Sequence, residues 1–425
     1  MTQDAVRTYV EEGESQLVEQ TEHLLSFDTS NPPGDTRSLA DEIQATFERL
    51  AIDTERVVAD PAKPNLVATP PGASAQTLIF NGHLDTVPSD DAAWTYDPLG
   101  EREDDRVYGR GATDMKGPLA AMLTTAKAFV ETDTTPPVTL QFVIVSDEEV
   151  AGEAGLPTVL SERRLDADWA VIGETTCTEN RHSVTVADKG SVWVTLTAEG
   201  TAAHGSRPML GENAIDRLYD AVETIRERFG TERFSLPADV DAIIDESVAY
   251  YEPTMGRETA RALFEQPTIN LGTIDGGETI NSVPAAAQAR LDIRLTAGVE
   301  TSEVLQRLRA CVASCDGIGI EDVSWSIGTY EPLESPLVTA VTETAESITG
   351  DQIYRRSATG GGDAKKFRHV GIHTVEFALG TDTVHAADEY TTRDALLGNA
   401  LVYAMLPFKL KEQAITNDGD DGENK

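Results

Sequence analysis

The sequence has few cysteines, few basic residues and no long apolar run. Its three cysteines are an odd number in a chain of 425 residues, so the sequence implies no disulfide framework. No apolar stretch approaches the roughly 20 residues of a membrane-spanning helix. The first residues lack the basic and apolar regions of a signal peptide. We therefore expect a cytoplasmic protein with no membrane partner.

Basic residues are far fewer than acidic ones. The chain has 34 Lys and Arg against 73 Asp and Glu, a formal net charge of -39 at pH 7. Such a field repels phosphate groups, so it excludes nucleic acids and anionic membranes as partners. The hydrophobic content of 40% is sufficient for globular cores, and the length predicts two domains.

Residues 78–88 form a short apolar run that ends in His-x-Asp. This pattern predicts a buried parallel strand that brings polar side chains to the carboxyl edge of a sheet. His83 and Asp85 are two residues apart, so on an extended backbone they point to the same side. That arrangement suits a metal-binding imidazole oriented by a carboxylate behind it. Taken alone, the stretch is equally consistent with an ordinary strand end and a hydrogen-bonded histidine.

Two further apolar runs end in acidic residues. Residues 138–145 precede Glu148 and Glu149, and residues 169–173 precede Glu174. Strands alternate with helical segments, so we predict an α/β fold with a mostly parallel sheet, helices on both faces and a site along one edge. Any one of these acids alone could instead cap a helix.

The middle of the chain has a different pattern. Residues 188–331 follow a β-α-β-β-α-β order, which predicts an inserted α+β, ferredoxin-like domain. The insertion divides a catalytic domain into residues 1–187 and 332–412. Residues 413–425 are rich in Asp, Gly and Asn, and we expect a disordered acidic tail. The pattern does not place residues 240–256.

Six polar residues at predicted strand ends and loops combine into one candidate centre. They are His83, Asp114, Glu148, Glu149, Glu174 and His385. Two imidazoles and four carboxylates exceed the needs of one tetrahedral zinc, whereas two metal ions that share a carboxylate would use five ligands. The sixth group is then free for proton transfer, which favours a metal pair that activates a bridging water.

Seven motifs spread over nearly the whole chain carry a resemblance to a known family. They are GHLDTVP, GRGATDMKG, SDEEVAG, GETT, AAHGSRP, ATGGGD and HAADE. In these motifs the chain resembles the di-zinc aminoacylase and carboxypeptidase family, which includes succinyl-diaminopimelate desuccinylase and acetylornithine deacetylase. The resemblance implies two zinc ions per subunit, with cobalt or manganese as an alternative at one position. It also implies that the inserted domain is a dimerisation or lid domain that joins a homodimer.

The resemblance assigns a role to each residue of the candidate centre. It implies that His83 and Glu174 hold one zinc, that Glu149 and His385 hold the other, and that Asp114 bridges the two. Glu148 is implied as the general base, and Asp85 as the residue that orients His83. A cis peptide bond is implied between Asp114 and Met115.

The same resemblance implies residues that bind the substrate. His204 would reach the active site of the partner subunit and stabilise the oxyanion, although it could also be a surface histidine at a helix start. Asn281 and Arg294 match positions that bind a substrate carboxylate, and the loop of Gly360, Gly361 and Gly362 offers backbone N–H groups. In so acidic a chain, Arg294 could equally be a salt-bridge partner.

The expected activity is that of a zinc-dependent amidohydrolase. It would remove a succinyl or acetyl group from an amino acid, in lysine or arginine biosynthesis. A dipeptidase or glutamate-carboxypeptidase-like exopeptidase is the alternative within the enzyme class, since the loop continues with Asp363-Ala364-Lys365-Lys366 and departs from the desuccinylase pattern. A non-catalytic binding homologue is a third reading, against which the unliganded Glu148 argues.

We interpret the acidic composition as adaptation to a high-salt cytoplasm, typical of a halophilic archaeal member of this family. At 1 M salt the Debye length falls to about 3 Å, so the acidic residues repel each other less. The melting temperature should therefore be higher in molar KCl than in dilute buffer. A neutral osmolyte at matched osmolality controls for solute exclusion. Equal melting temperatures in dilute buffer and molar KCl would contradict the interpretation.

Overall fold

The computed structural model describes residues 2–90, 92–163, 165–230 and 233–420. The chain divides into two compact units. The large unit comprises Met1–Val186, Glu331–Arg355 and Gly362–Lys425, and the small unit comprises Ala187–Tyr330 and Arg356–Gly361. Within the described ranges, no helix is both long and apolar enough to cross a membrane.

The first part of the large unit alternates helices and strands. Its helices are α1 (Thr2–Glu12), α2 (Glu14–Leu25), α3 (Arg37–Arg49), α4 (Lys116–Glu131) and α5 (Leu156–Glu162). Its strands are β1 (Thr54–Val57), β2 (Asn65–Ala68), β3 (Thr77–His83), β4 (Glu101–Glu103), β5 (Arg106–Tyr108), β6 (Thr139–Val145), β7 (Trp169–Ile172) and β8 (His182–Ala187). Strands β3 and β6 are buried almost throughout, as expected for strands covered on both faces.

The small unit is a four-stranded antiparallel sheet with helices. Its elements are β9 (Gly190–Glu199), α6 (Ala214–Phe229), α7 (Ala238–Met255), α8 (Arg257–Glu265), β10 (Thr268–Gly276), β11 (Ala286–Leu295), α9 (Thr301–Ala313) and β12 (Ile318–Ser326). The strand order is β10-β11-β9-β12. Burial alternates along β9, and its inward residues share a core with apolar residues of α6 and α9.

Of residues 240–256, which the sequence pattern left unplaced, residues 240–255 lie in α7 and Gly256 separates α7 from α8. This helix packs with α8 around a separate apolar cluster of the small unit. In that cluster Val240, Ile244 and Val248 recur at intervals of four residues, which places them on one face of α7. The pair therefore adds two helices to the β-α-β-β-α-β order.

The chain then returns to the large unit. Its last elements are α10 (Pro336–Thr349), β13 (Ile353–Ser357), α11 (Asp363–His369), β14 (His373–Glu376), β15 (Tyr390–Thr392) and α12 (Arg393–Asp420). The main sheet has the order β1-β2-β6-β3-β7-β14-β8-β13. Strands β6, β3, β7 and β14 are parallel neighbours, which confirms the predicted α/β class. Their carboxyl ends meet at one edge of the sheet.

The last helix extends into the segment for which we expect a disordered acidic tail. Helix α12 continues to Asp420, so residues 413–420 are helical where the sequence predicts disorder. Residues 409–418 contain neither glycine nor proline, so a helix that starts in the core can propagate through them. Residues 421–425 lie outside the described part of the chain.

Candidate metal centre and active site

The carboxyl edge of the main sheet collects the acidic and imidazole side chains. Strand β3 ends at His83, which is level with Val145 at the end of β6. Glu148 and Glu149 lie in the turn that follows β6, and Glu174 follows β7 by two residues. Parallel strands in register bring these side chains together, because all their carboxyl ends lie on one side of the sheet.

One group of candidate ligands contains His83, Asp114 and Glu174. The Nε2 atom of His83 lies 3.0 Å from Oδ1 of Asp114 and 3.4 Å from Oε1 of Glu174. One ligand atom from each residue lies within 4.8 Å of the others. The group is therefore tight enough for a single cation.

A second group contains Asp114, Glu149 and His385. The Nε2 atom of His385 lies 3.1 Å from Oδ2 of Asp114 and 3.1 Å from Oε2 of Glu149. Asp114 thus faces one imidazole with each of its two oxygens. This is the arrangement expected of a carboxylate that bridges two metal ions. The peptide bond from Asp114 to Met115 is cis, as the resemblance implies.

The chemistry of the donor set fits two divalent cations. Hydrogen bonds to Asp114 and Glu149 raise the pKa of His385 to about 10. Burial and the nearby Asp114 raise the pKa of Glu174 well above its usual value. Both shifts reflect an excess of buried negative charge. In addition, Oε1 of Glu149 is buried without a hydrogen-bond partner among the described residues, so it is free to bind a cation.

Glu148 belongs to neither ligand group. The pKa of its carboxyl is raised to about 8, chiefly by burial; His83 opposes this shift, and the carboxylate of Asp363 contributes to it. A buried carboxyl that titrates near neutrality suits a group that takes and returns a proton. A side chain at position 362 would place its Cβ 3.3 Å from Oε1 of Glu148, so Gly362 lets the main chain pass close to this carboxyl.

The structure corrects the role expected of Asp85. The ring nitrogen Nδ1 of His83 donates to the main-chain carbonyl of Asp85 at 2.8 Å, whereas the carboxylate oxygen Oδ1 lies 3.7 Å away. A carbonyl only accepts, so Nδ1 carries the proton and Nε2 is free for a metal. The carboxylate instead accepts the main-chain N–H groups of Glu148 at 3.1 Å and Glu149 at 3.2 Å. Asp85 therefore orients the imidazole through its backbone and the acidic turn through its side chain.

Sequence reasoning missed Glu389, the last residue of the HAADE motif. Its side chain is 0% exposed, and Oε1 accepts the N–H groups of Gly111, Thr113 and Asp114 at 3.0–3.1 Å. Its other oxygen binds Nη1 of Arg110 at 2.6 Å. The feature of the sequence that could have identified Glu389 is its position as an acidic residue directly before the buried strand β15. Glu389 fixes the loop that presents Asp114.

His204 and Asn281 lie on two adjacent exposed loops of the small unit. The main chains of His204 and Ser282 form an isolated bridge, and the N–H of Gly205 donates to the carbonyl of Asn281 at 2.6 Å. The ring nitrogen Nδ1 of His204 is 2.8 Å from the hydroxyl of Ser206. The two predicted substrate residues are therefore neighbours in one surface region.

The remaining substrate-binding predictions have different outcomes. Arg294 forms two hydrogen bonds with Asp292, at 2.8 and 3.0 Å, and its guanidinium lies 5.9 Å from the ring centroid of Trp193. It is thus engaged as a salt-bridge partner. Gly360 and Gly361 belong to the small unit, and Gly362 belongs to the large unit.

Comparison with known proteins gives consistent matches. The model of peptidase family M20/M25/M40 matches residues 79–408. The succinyl-diaminopimelate desuccinylase of Sphingopyxis alaskensis is 30% identical over 370 residues, which cover 83% of this chain and 88% of that enzyme. An M20 family metallo-carboxypeptidase from Sulfolobus solfataricus superposes with a TM-score of 0.76 at 21% identity, covering 93% of this chain and 99% of that one. Human carnosine dipeptidase 1 gives 0.72 at 18% identity, covering 96% and 99%.

Replacement of Glu389 should weaken metal binding. In Glu389→Gln the buried carboxylate loses the charge that holds three N–H groups and Arg110, so the main chain of Asp114 is less well fixed. We expect the affinity for a divalent cation, with zinc as the probe, to fall by about 10- to 100-fold, as for other groups that orient ligands. Competition titration against a chelator measures this change.

The matched control for this variant is Glu331→Gln. Glu331 is a buried glutamate of the large unit that binds His373 and the N–H of Thr374, and it contacts no candidate ligand. Its replacement should lower stability but leave zinc affinity unchanged. Wild-type affinity in Glu389→Gln would show that this carboxylate has no role in presenting Asp114.

Proposed function

The chain belongs to peptidase family M20/M25/M40, and on that premise we propose that it is a zinc-dependent enzyme that removes a succinyl or acetyl group from an N-acyl amino acid. The observation that carries the proposal is the pair of ligand groups that share Asp114, with Glu148 beside them and outside both. A pure binding protein would have no need for this extra buried carboxyl. The desuccinylase relative supports the acyl group that we name.

We propose that each ligand group holds one zinc ion. His83, Asp114 and Glu174 would hold the first, and Asp114, Glu149 and His385 would hold the second. Zinc, when bound, supplies a Lewis acid that lowers the pKa of water and polarises the amide carbonyl. The protein holds both sites ready, because Asp85 and Glu389 fix the segments that carry the ligands.

In the proposed mechanism Glu148 moves the proton. It takes a proton from the attacking water and returns it to the amine nitrogen as the amide C–N bond breaks. The N–H of Glu148 is bound to Asp85, and the main chain at Gly362 closes off one side of the carboxyl. These contacts fix the main chain of Glu148 and limit the space beside its carboxyl, which favours proton transfer from a defined position.

We further propose a homodimer formed through the small unit, in which His204 stabilises the oxyanion in the partner's active site. Support comes from apolar side chains beside the His204 and Asn281 loops. Met209 is 78% exposed and Ile280 is 105% exposed, and exposed apolar side chains that lie in one surface region are typical of protein–protein interfaces. Asn281 would then contact the substrate carboxylate together with the glycine loop of residues 360–362. Arg294 would bind the substrate carboxylate only after its hydrogen bonds with Asp292 are broken.

A second candidate function is hydrolysis of dipeptides or release of a C-terminal residue. Solved structures with this fold include a metallo-carboxypeptidase and a dipeptidase. The same groups can hydrolyse any amide that lies next to a suitable carboxylate. An assay for free amine separates the readings, with N-succinyl-diaminopimelate, N-acetylornithine and a dipeptide panel in high salt with added zinc. Release from N-succinyl-diaminopimelate supports lysine biosynthesis, and release from dipeptides alone supports the second candidate.

Two substitutions separate metal binding from proton transfer. Glu148→Gln should lower turnover by about 100- to 10,000-fold, because the base is lost, while zinc content stays the same. His83→Ala should lose zinc, because a ligand is removed. Zinc per chain and turnover are measured on the same samples, and Glu162→Ala on the exposed end of α5 serves as the control. Wild-type turnover in Glu148→Gln would contradict the proposal that Glu148 is the general base.

A further inference from the structure

Asn31 lies between two buried carboxylates behind the acidic turn. Its side-chain nitrogen Nδ2 is 2.8 Å from Oδ2 of Asp85 and 3.0 Å from Oδ1 of Asp147. Asn31 itself is 3% exposed. In the sequence, Asn31 stands out only as the start of an Asn-Pro-Pro-Gly segment that ends a helical pattern. The structure gives this residue a specific contact with the candidate active site.

Both carboxylates bind main-chain N–H groups in or just after the acidic turn. Asp85 accepts the main-chain N–H groups of Glu148 and Glu149. Asp147, which precedes them, accepts the N–H of Ala154 at 3.3 Å through its other oxygen, and its main chain has a φ of 63°. The position of the Glu148 carboxyl therefore depends on both acids staying where they are.

An amide is the side chain that suits this position. The nitrogen of asparagine carries two N–H groups, so one atom can donate to both acids without adding charge. Serine or threonine would supply one donor. Aspartate would add a third carboxylate among buried acids and repel both neighbours. Alanine would leave two buried acceptors without their donor, which destabilises the local structure.

The chain around Asn31 fixes the direction of the amide. Its main-chain N–H donates to the carbonyl of Thr86 at 2.8 Å, next to Asp85. Gly34 has a φ of +75°, and a Cβ there would lie 2.7 Å from Cγ of Asn31 and 2.9 Å from Cε of Lys63. The segment thus folds back over the amide, and Lys63 closes the other side by pairing with Asp147. The amide has little room to rotate away.

We propose that Asn31 is a positioning residue for the general base. It acts by holding the carboxylates of Asp85 and Asp147, which bind the main chain in and next to the turn that carries Glu148. The inference rests on the proposed function, because it takes Glu148 as the base. In the part of the chain that the structure describes, the hydrogen bonds of Asn31 go to Asp85, Asp147 and Thr86 and not to a candidate ligand, so its effect is on the placement of the turn.

Hydrogen exchange and kinetics test the proposal on the zinc-loaded enzyme. In Asn31→Ala and Asn31→Asp, the amides of Glu148 and Glu149 should exchange at least about tenfold faster, because local opening becomes easier. The value of kcat per bound zinc should fall by about 10- to 100-fold, the loss expected for small misplacement of a catalytic group. KM should stay within about twofold, since no substrate contact is removed. Asn31→Ser keeps one donor and should give intermediate values.

The matched control is Asn399→Ala. Asn399 is a buried asparagine of the large unit whose amide, among the described residues, pairs with the main chain of Leu379. Its loss should lower the melting temperature without changing exchange at Glu148 and Glu149 or kcat per zinc. Wild-type exchange at these amides in the Asn31 variants, or wild-type kcat per zinc, would overturn the proposal. Faster exchange together with a wild-type enzyme that hydrolyses no amide would support the positioning role and refute the proposed function instead.

Discussion

The carboxylate of Asp114 faces two imidazoles, one on each oxygen, and the candidate metal centre depends on this shared position. The main sheet supplies His83 on one side, and the loop after β14 supplies His385 on the other. Glu389 holds the main chain of Asp114 through three converging N–H groups. These contacts hold several carboxylates close together in a buried region. Divalent cations neutralise such a cluster and make it favourable.

The ligands could be predicted from sequence because each follows an apolar strand pattern at a sheet edge, or falls in a motif that resembles a known family. The structure brings His83, Asp114 and Glu174 together, and also Glu149 and His385. The role of each individual site residue was harder to predict from the sequence. Spacing showed that Asp85 lies beside His83, but whether its carbonyl or its carboxylate binds the ring depends on how the main chain turns after β3. Asp85 therefore orients His83 as expected, but through its carbonyl and not through its carboxylate.

The roles of Glu389 and Asn31 could not be predicted from the sequence for a different reason. Glu389 binds the N–H of Asp114 across 275 positions of sequence, and Asn31 binds Asp147 across 116. No local period encodes such contacts, and an asparagine before two prolines is typical of a turn. Helix α7 contains Pro253 in its last turn, and a proline inside a segment argues against a helix in a sequence pattern. Long-range polar contacts, which orient the catalytic groups, are thus the part of the site least visible in a single sequence.

The central claim is that Asp114 is shared by two metal ions. Anomalous X-ray diffraction at the zinc absorption edge, on crystals of the zinc-loaded protein, tests it most directly. If two metal ions share Asp114, each chain will show two anomalous peaks, one on each side of its carboxylate. One peak will lie beside His83 and Glu174, and the other beside His385 and Glu149. A single peak at full zinc loading, or two peaks that do not both contact Asp114, would contradict it.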